Sequence, residues 1–172
     1  MQVQIEPARA EHLAEISALA AVTWRAHYPG IISQEQIDYM LARMYDVATM
    51  RRELESGIAY DRLRVDGTLC GFSSYGPASK AGELKLHKLY VHPDFQRQGF
   101  GAALLKRVEE FADEHYYSTL VLAVNKQNTR AFVAYRKLGF TIRESIIAGI
   151  GGGFVMNDYV MAKSLLQQHG AH

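Results

Sequence analysis

Apolar positions along this 172-residue chain change their period several times, and each change marks an element. Residues 3–5 read as a short strand. Over residues 11–21, Leu13, Ile16 and Ala20 recur at helical spacing and predict an amphipathic helix. Ser33-x-x-Gln36 has the form of a capping box and opens a helix whose inner stripe is Ile37, Met40, Leu41 and Met44. Residues 46–55 predict a further short helix, stopped by Gly57. Strand-like runs at 58–65 and 68–75 flank Asp66-Gly67, a strong hairpin signal. A loop at 76–82 leads into a strand at 83–91. Leu104, Leu105, Val108, Phe111 and Ala112 share one face of a helix, and 119–124 is a short apolar run of the kind found in buried strands. Asn128 is placed to cap a helix that ends at Gly139. Residues 140–147 and 157–162 form a last strand pair around the glycine-rich turn at 149–153. Strand, helix, strand over 83–124 requires a parallel crossover. The pattern therefore predicts an α/β mixed sheet, parallel at its centre, antiparallel at its ends and flanked by helices.

The strand at 83–91 carries a defect. Its apolar phase runs Leu84, Leu86, then Leu89, Val91, so the period of two slips at His87-Lys88. One extra residue in a strand, a β-bulge, turns the following side chains over and produces such a slip. A bulge there would splay this strand from 119–124 and leave backbone groups for a ligand to satisfy. The competing reading is that Lys88 is an exposed position in an imperfect amphipathic strand.

After that strand stands Gln96-Arg97-Gln98-Gly99-Phe100-Gly101, a glycine-punctuated turn opening a helix. A helix N-terminus presents unpaired N–H groups and the positive end of the helix dipole. Glycines let phosphates approach the backbone, so the stretch reads as an anion cradle. Position 104 is Leu104, which excludes the dinucleotide fingerprint, and no Gly-Lys-Ser or Gly-Lys-Thr marks a P-loop.

The form Gln-x-x-Gly-x-Gly resembles the pyrophosphate loop of the GNAT superfamily, the acyl-coenzyme A-dependent N-acetyltransferases. Two further blocks carry the resemblance. Leu89-Tyr90-Val91-His92-Pro93 resembles the preceding strand end, and Asn125-x-x-Asn128-x-x-Ala131-x-x-x-Tyr135-x-x-x-Gly139-Phe140 resembles the second coenzyme A motif. The matches cover roughly 83–140. The resemblance implies a GNAT-like sheet with a splayed central parallel strand pair, and acetyl-CoA as co-substrate. It implies cofactor contacts from the backbones of Leu89 and Val91, from Gln96, Arg97, Gln98, Gly99, Phe100, Gly101 and Ala102, and from Asn128 and Tyr135. Tyr135 resembles the general acid that protonates the departing thiolate, and a tyrosine is protonated at neutral pH as that role requires. For the base, the family's usual strand position offers Glu83 and His87. His87 titrates nearest neutrality and is the expected choice, with a water relay left open. The acceptor amine is expected near Trp24 and Tyr28, between 24–39 and the final hairpin around Asp158, where rings and carboxylates suit a cation.

Composition narrows the partners. Lys and Arg number 19 against 18 Asp and Glu, which argues against a general nucleic-acid binder. The single cysteine, Cys70, suits a reducing compartment and reads as a small buried hydrophobe. No signal core and no apolar run of ~20 residues appears, so a cytoplasmic protein without a membrane span is expected. No metal site is expected. The chain reads as a single domain over 1–165 with a disordered tail at 166–172. The closing pattern through Met156-Asn157-Asp158-Tyr159 faintly resembles the branch that acetylates polyamines and related small amines. Protein N-terminal or lysine acetylation, and a non-catalytic coenzyme A-binding regulatory module, are the alternatives; a homodimer is left open.

Overall fold

The computed structural model describes residues 1–165; the tail expected at 166–172 lies outside them. In chain order the elements are β1 (Val3–Pro7), α1 (Leu13–His27), α2 (Gln34–Met44), α3 (Val47–Glu55), β2 (Ala59–Val65), β3 (Thr68–Pro77), β4 (Glu83–Val91), α4 (Phe100–Glu114), β5 (Thr119–Asn125), α5 (Thr129–Lys137), β6 (Thr141–Gly151) and β7 (Phe154–Ser164). The strands form a seven-stranded mixed sheet in the order β1-β2-β3-β4-β5-β7-β6. No described helix is long and apolar enough to cross a membrane.

The chain divides into two compact units, Met1–Gly76 with Lys88–Val108, and Pro77–His87 with Glu109 onward. Both β4 and α4 contribute residues to each.

In the first unit, β1, β2 and β3 pair antiparallel in sequence order. The hairpin between β2 and β3 turns on Asp66 and Gly67, both at positive φ (50° and 84°), as a tight primed turn demands. The helix expected over 11–21 extends to His27, because Thr23 and Trp24 continue its buried stripe. Ser33 caps α2, its hydroxyl accepting from the Gln36 N–H at 3.1 Å. Leu63, Val65, Cys70, Val91, Phe100 and Leu104 form a common core. Gly71 lets the strands approach closely there: a Cβ at that position would lie 3.0 Å from the Tyr90 carbonyl oxygen, tighter than most such contacts. Burial also raises the pKa of the Cys70 thiol, which marks a packing residue rather than a nucleophile.

In the second unit, β4 and β5 run parallel, with Glu83–Lys85 opposite Thr119–Val121. The register ends at Lys85 and Val121, although β5 continues to Asn125 and β7 pairs with it throughout. β7 also pairs with β6, so the last strand inserts between β5 and its own hairpin partner. Asn128 caps α5, accepting from the Ala131 N–H at 3.3 Å, and Gly139 ends the helix at φ 101°.

Candidate active site

The parallel register of β4 with β5 stops at Lys85, short of the phase slip at His87-Lys88. Residues directly opposite in neighbouring strands project their side chains to the same face. Leu84 stands opposite Leu120, and Leu120 opposite Lys163. The Lys163 ammonium lies 2.8 Å from Glu109 of α4, so this row faces α4. Leu89 and Val91 also pack against the cluster that contains Leu104 of α4. Leu84 to Leu89 is an odd step, and a regular strand returns to one face only at even steps. That odd step is the one the side-chain order shows at His87-Lys88.

Lys88 is 4% exposed, so the reading of it as a solvated position is corrected. Its ammonium donates to the Met44 carbonyl at 3.1 Å, to Glu53 at 3.0 Å and to the Tyr60 hydroxyl at 2.6 Å. Three donors meet three acceptors, which is what makes a buried ammonium tolerable. The Tyr60 hydroxyl in turn donates to Glu53 at 2.7 Å. Burial lowers the Lys88 pKa while Glu53 opposes the shift. The cluster ties α2 and α3 to the strand just before Leu89.

At the end of β4 the backbone aims its polar groups. The His92 N–H donates to the Cys70 carbonyl of β3 at 2.7 Å. Successive residues of a strand turn their N–H and C=O groups to opposite edges. Val91 and Leu89 therefore direct theirs away from β3. The Gln96 side chain donates to the Val91 carbonyl at 3.1 Å, anchoring the following loop to the strand end.

That loop is exposed at Arg97, Gln98 and Gly99 and anchored by Phe100, which is 5% exposed in the core. Arg97 and Gly99 both have positive φ, 63° and 84°. A Cβ on Gly99 would find no atom within 4 Å, so open space lies above it. α4 starts at Phe100, and the Ala103 N–H is bonded to the Gly99 carbonyl at 3.0 Å. Residues 97–102 thus present the N-terminal amides of a fifteen-residue helix to an exposed surface, with Ala102 on its outer side.

The aromatic residues singled out in α1 are buried, Trp24 at 3% and Tyr28 at 9% exposure. The Trp24 indole N–H donates to the Tyr45 hydroxyl at 3.2 Å, and its ring lies 4.3 Å from that of Tyr28. Trp24 is thereby a support for Tyr28. The Tyr28 hydroxyl lies 3.1 Å from that of Tyr90, which is half-buried between Leu89 and Val91. Tyr90 was not among the expected site residues. Its only sequence signal is its place between two residues whose backbones were.

The second unit holds the remaining candidates. Tyr135 is half-buried on α5, a helix without a buried residue, with its ring edge-on to Phe140 at 5.6 Å. Asn125 and Asn128 shape the turn before α5: the Asn125 side chain accepts from the Gln127 N–H at 2.8 Å, and the Asn128 N–H donates to the Asn125 carbonyl at 2.9 Å. Glu83 is committed to Arg143 at 2.7 Å, and that guanidinium lowers its pKa. A carboxylate so held is a poor proton acceptor. His87 is half-buried on β4.

Asp158 of β7 stands opposite Asn125. Its neighbour Tyr159 projects to the other face, 5.5 Å from Phe132 of α5. Asp158 therefore faces away from α5. It is 5% exposed, and its Oδ1 is buried with no hydrogen-bond partner among the described residues. Burial raises its carboxyl pKa, with Lys85 and Lys126 acting in the opposite sense.

Comparison with known proteins gives this geometry its context. The pattern of the acetyltransferase (GNAT) family matches residues 16–140. A spermidine N(1)-acetyltransferase of Thermoplasma acidophilum is 26% identical over 161 residues, 91% of this chain and 96% of its own length. A ribosomal protein bS18-alanine N-acetyltransferase of Escherichia coli K12 is 39% identical over 66 residues, 37% of this chain and 45% of its own. The crystal structure of a PaiA N-acetyltransferase from Thermoplasma acidophilum in complex with coenzyme A superposes with a TM-score of 0.81 at 25% identity, covering 95% of this chain and 99% of that one.

Proposed function

The chain belongs to the GNAT acetyltransferase family, and on that premise we propose that it transfers acetyl from acetyl-CoA to a primary amine of the polyamine class. The observation that carries the cofactor part is the run from Leu89 to Ala102. Two strand residues turn their backbones away from β3, and an exposed left-handed loop then opens a long helix. Backbone amides at 97–102 hold the pyrophosphate, and the backbones of Leu89 and Val91 pair with the amides of the pantetheine arm.

Coenzyme A, when bound, supplies the thioester. The Leu89 N–H then stabilises negative charge growing on the carbonyl oxygen. Tyr135 donates its phenolic proton to the sulfur as the carbon–sulfur bond breaks. Asn128 caps α5 and thereby orients the helix that carries Tyr135. Tyr28, supported by Trp24, offers an aromatic wall to a cation. Asp158 offers the carboxylate.

The small-amine choice rests on the near full-length spermidine-acetylating relative. An acceptor screen reading free thiol from acetyl-CoA tests it. Spermidine and spermine should support turnover. Release of thiol with alanine-initiated peptides but not with polyamines transfers the assignment to protein N-terminal acetylation. Coenzyme A binding with no release for any amine leaves a binding module.

A further inference from the structure

We propose that Asp158, not His87, takes the proton from the acceptor's ammonium group; the proposal rests on the acetyltransferase reading above. Three observations lead to it. The carboxylate is almost wholly buried, yet Oδ1 has no hydrogen-bond partner among the described residues. Leaving such a group unpaired is costly, and a donor arriving with the substrate removes that cost. His87, by contrast, is only half-buried and is engaged by a polar, ring or charge contact.

The second observation is the face. Tyr159 and Phe132 put α5 on one side of β7, and Asp158 projects to the other. The acid of the reaction, Tyr135, belongs to α5. Within this unit the proton donor and the proton acceptor are thus assigned to opposite faces of the sheet. Addition of the amine and expulsion of the thiolate involve two different bonds of one tetrahedral carbon, so each needs its own proton-transfer group.

The third is the charge environment. Lys85 on β4 and Lys126 after β5 are the charged groups that act on the carboxylate. The residues opposite it, Asn125 on β5 and Ile146 on β6, carry no charge. Burial outweighs the two lysines and raises its proton affinity, which suits a group that must accept a proton near neutrality.

The step balances as follows. The ammonium nitrogen transfers one proton to Asp158 and becomes a neutral amine. That amine bonds to the acetyl carbon, the carbon–sulfur bond breaks, and the thiolate takes the proton of Tyr135. The tyrosinate regains a proton from the new amide nitrogen, and Asp158 returns its own to water. Overall, ammonium and acetyl-CoA give acetamide, free thiol and one proton.

The test is kcat/KM for the best amine of the acceptor screen, spermidine first, in wild type and Asp158→Asn across the pH range in which the amine titrates. Asparagine keeps the shape and removes the base. We expect a loss of roughly 100-fold or more at neutral pH. The loss should shrink as pH rises and solvent deprotonates the amine itself. Coenzyme A affinity should be unchanged. A loss constant over pH, or no loss, overturns the assignment alone. No thiol release by the wild type with any amine overturns both this assignment and the acetyltransferase reading. Should Asp158→Asn not fold, Asp158→Glu is the second variant. A displaced base lowers kcat but keeps the rise with pH; a pH-independent profile overturns the proposal.

Discussion

The side-chain amide of Gln96 donates to the carbonyl of Val91 at 3.1 Å, so the strand end and the loop that follows it are tied together. This gives the first residue of Gln-x-x-Gly-x-Gly a structural meaning. It closes the end of β4 and sets the exposed amides of 97–102 at a fixed height above it.

Two substitutions test the cradle. Gly99→Asp and Gly99→Asn place side chains of the same shape in the open space above Gly99, at the same left-handed backbone. Only the first adds a negative charge where the pyrophosphate is to bind. Calorimetry should find coenzyme A bound roughly tenfold more weakly by the aspartate than by the asparagine, ~1.4 kcal/mol. Equal affinities would place the pyrophosphate elsewhere.

Tyr135→Phe keeps the ring and its edge contact with Phe140 and removes the hydroxyl. In a chemistry-limited assay kcat should fall ~10²–10⁴-fold while coenzyme A affinity changes little. Wild-type turnover would remove Tyr135 from the role of proton donor.

The pair of Glu83 and Arg143 predicts a pH dependence of stability. The guanidinium holds the folded-state pKa of Glu83 below its ordinary value of 4.5. The sign follows: a carboxylate with a depressed folded pKa contributes stability above its unfolded pKa and loses it as pH falls through the folded one. Glu83→Gln should therefore cost about 1 kcal/mol at neutral pH, modest because Arg143 is partly exposed. Below the folded pKa the variant and the wild type should have the same midpoint in urea. A difference that persists there would mean the glutamine disturbs packing instead.

Local signals are legible in the sequence where the partners lie within a few residues. Asp66-Gly67 turns the hairpin, Ser33 and Asn128 cap their helices, and Gly139 stops the last one. The apolar spacing weakens after Ala21, so the sequence marks the end of α1 too early, while Thr23 and Trp24 still face inward. The phase slip at His87-Lys88 is likewise legible in the order of side chains. What it could not convey was the burial of Lys88, which depends on Glu53 and Tyr60 from other elements.

The sequence by itself determined the family, the strand–loop–helix cradle and the position of Tyr135, because each is written in residues close enough to be spaced by one element's own geometry. Only the tertiary structure decided the rest. It inserted β7 between β5 and β6 and so set Asp158 beside Asn125. It joined Tyr28 to Tyr90 across 62 positions, and it left one oxygen of the buried Asp158 without a hydrogen-bond partner among the described residues. Burial and pairing of this kind depend on which distant segments share a face. The periodicity of a single element carries no record of its neighbours across the sheet.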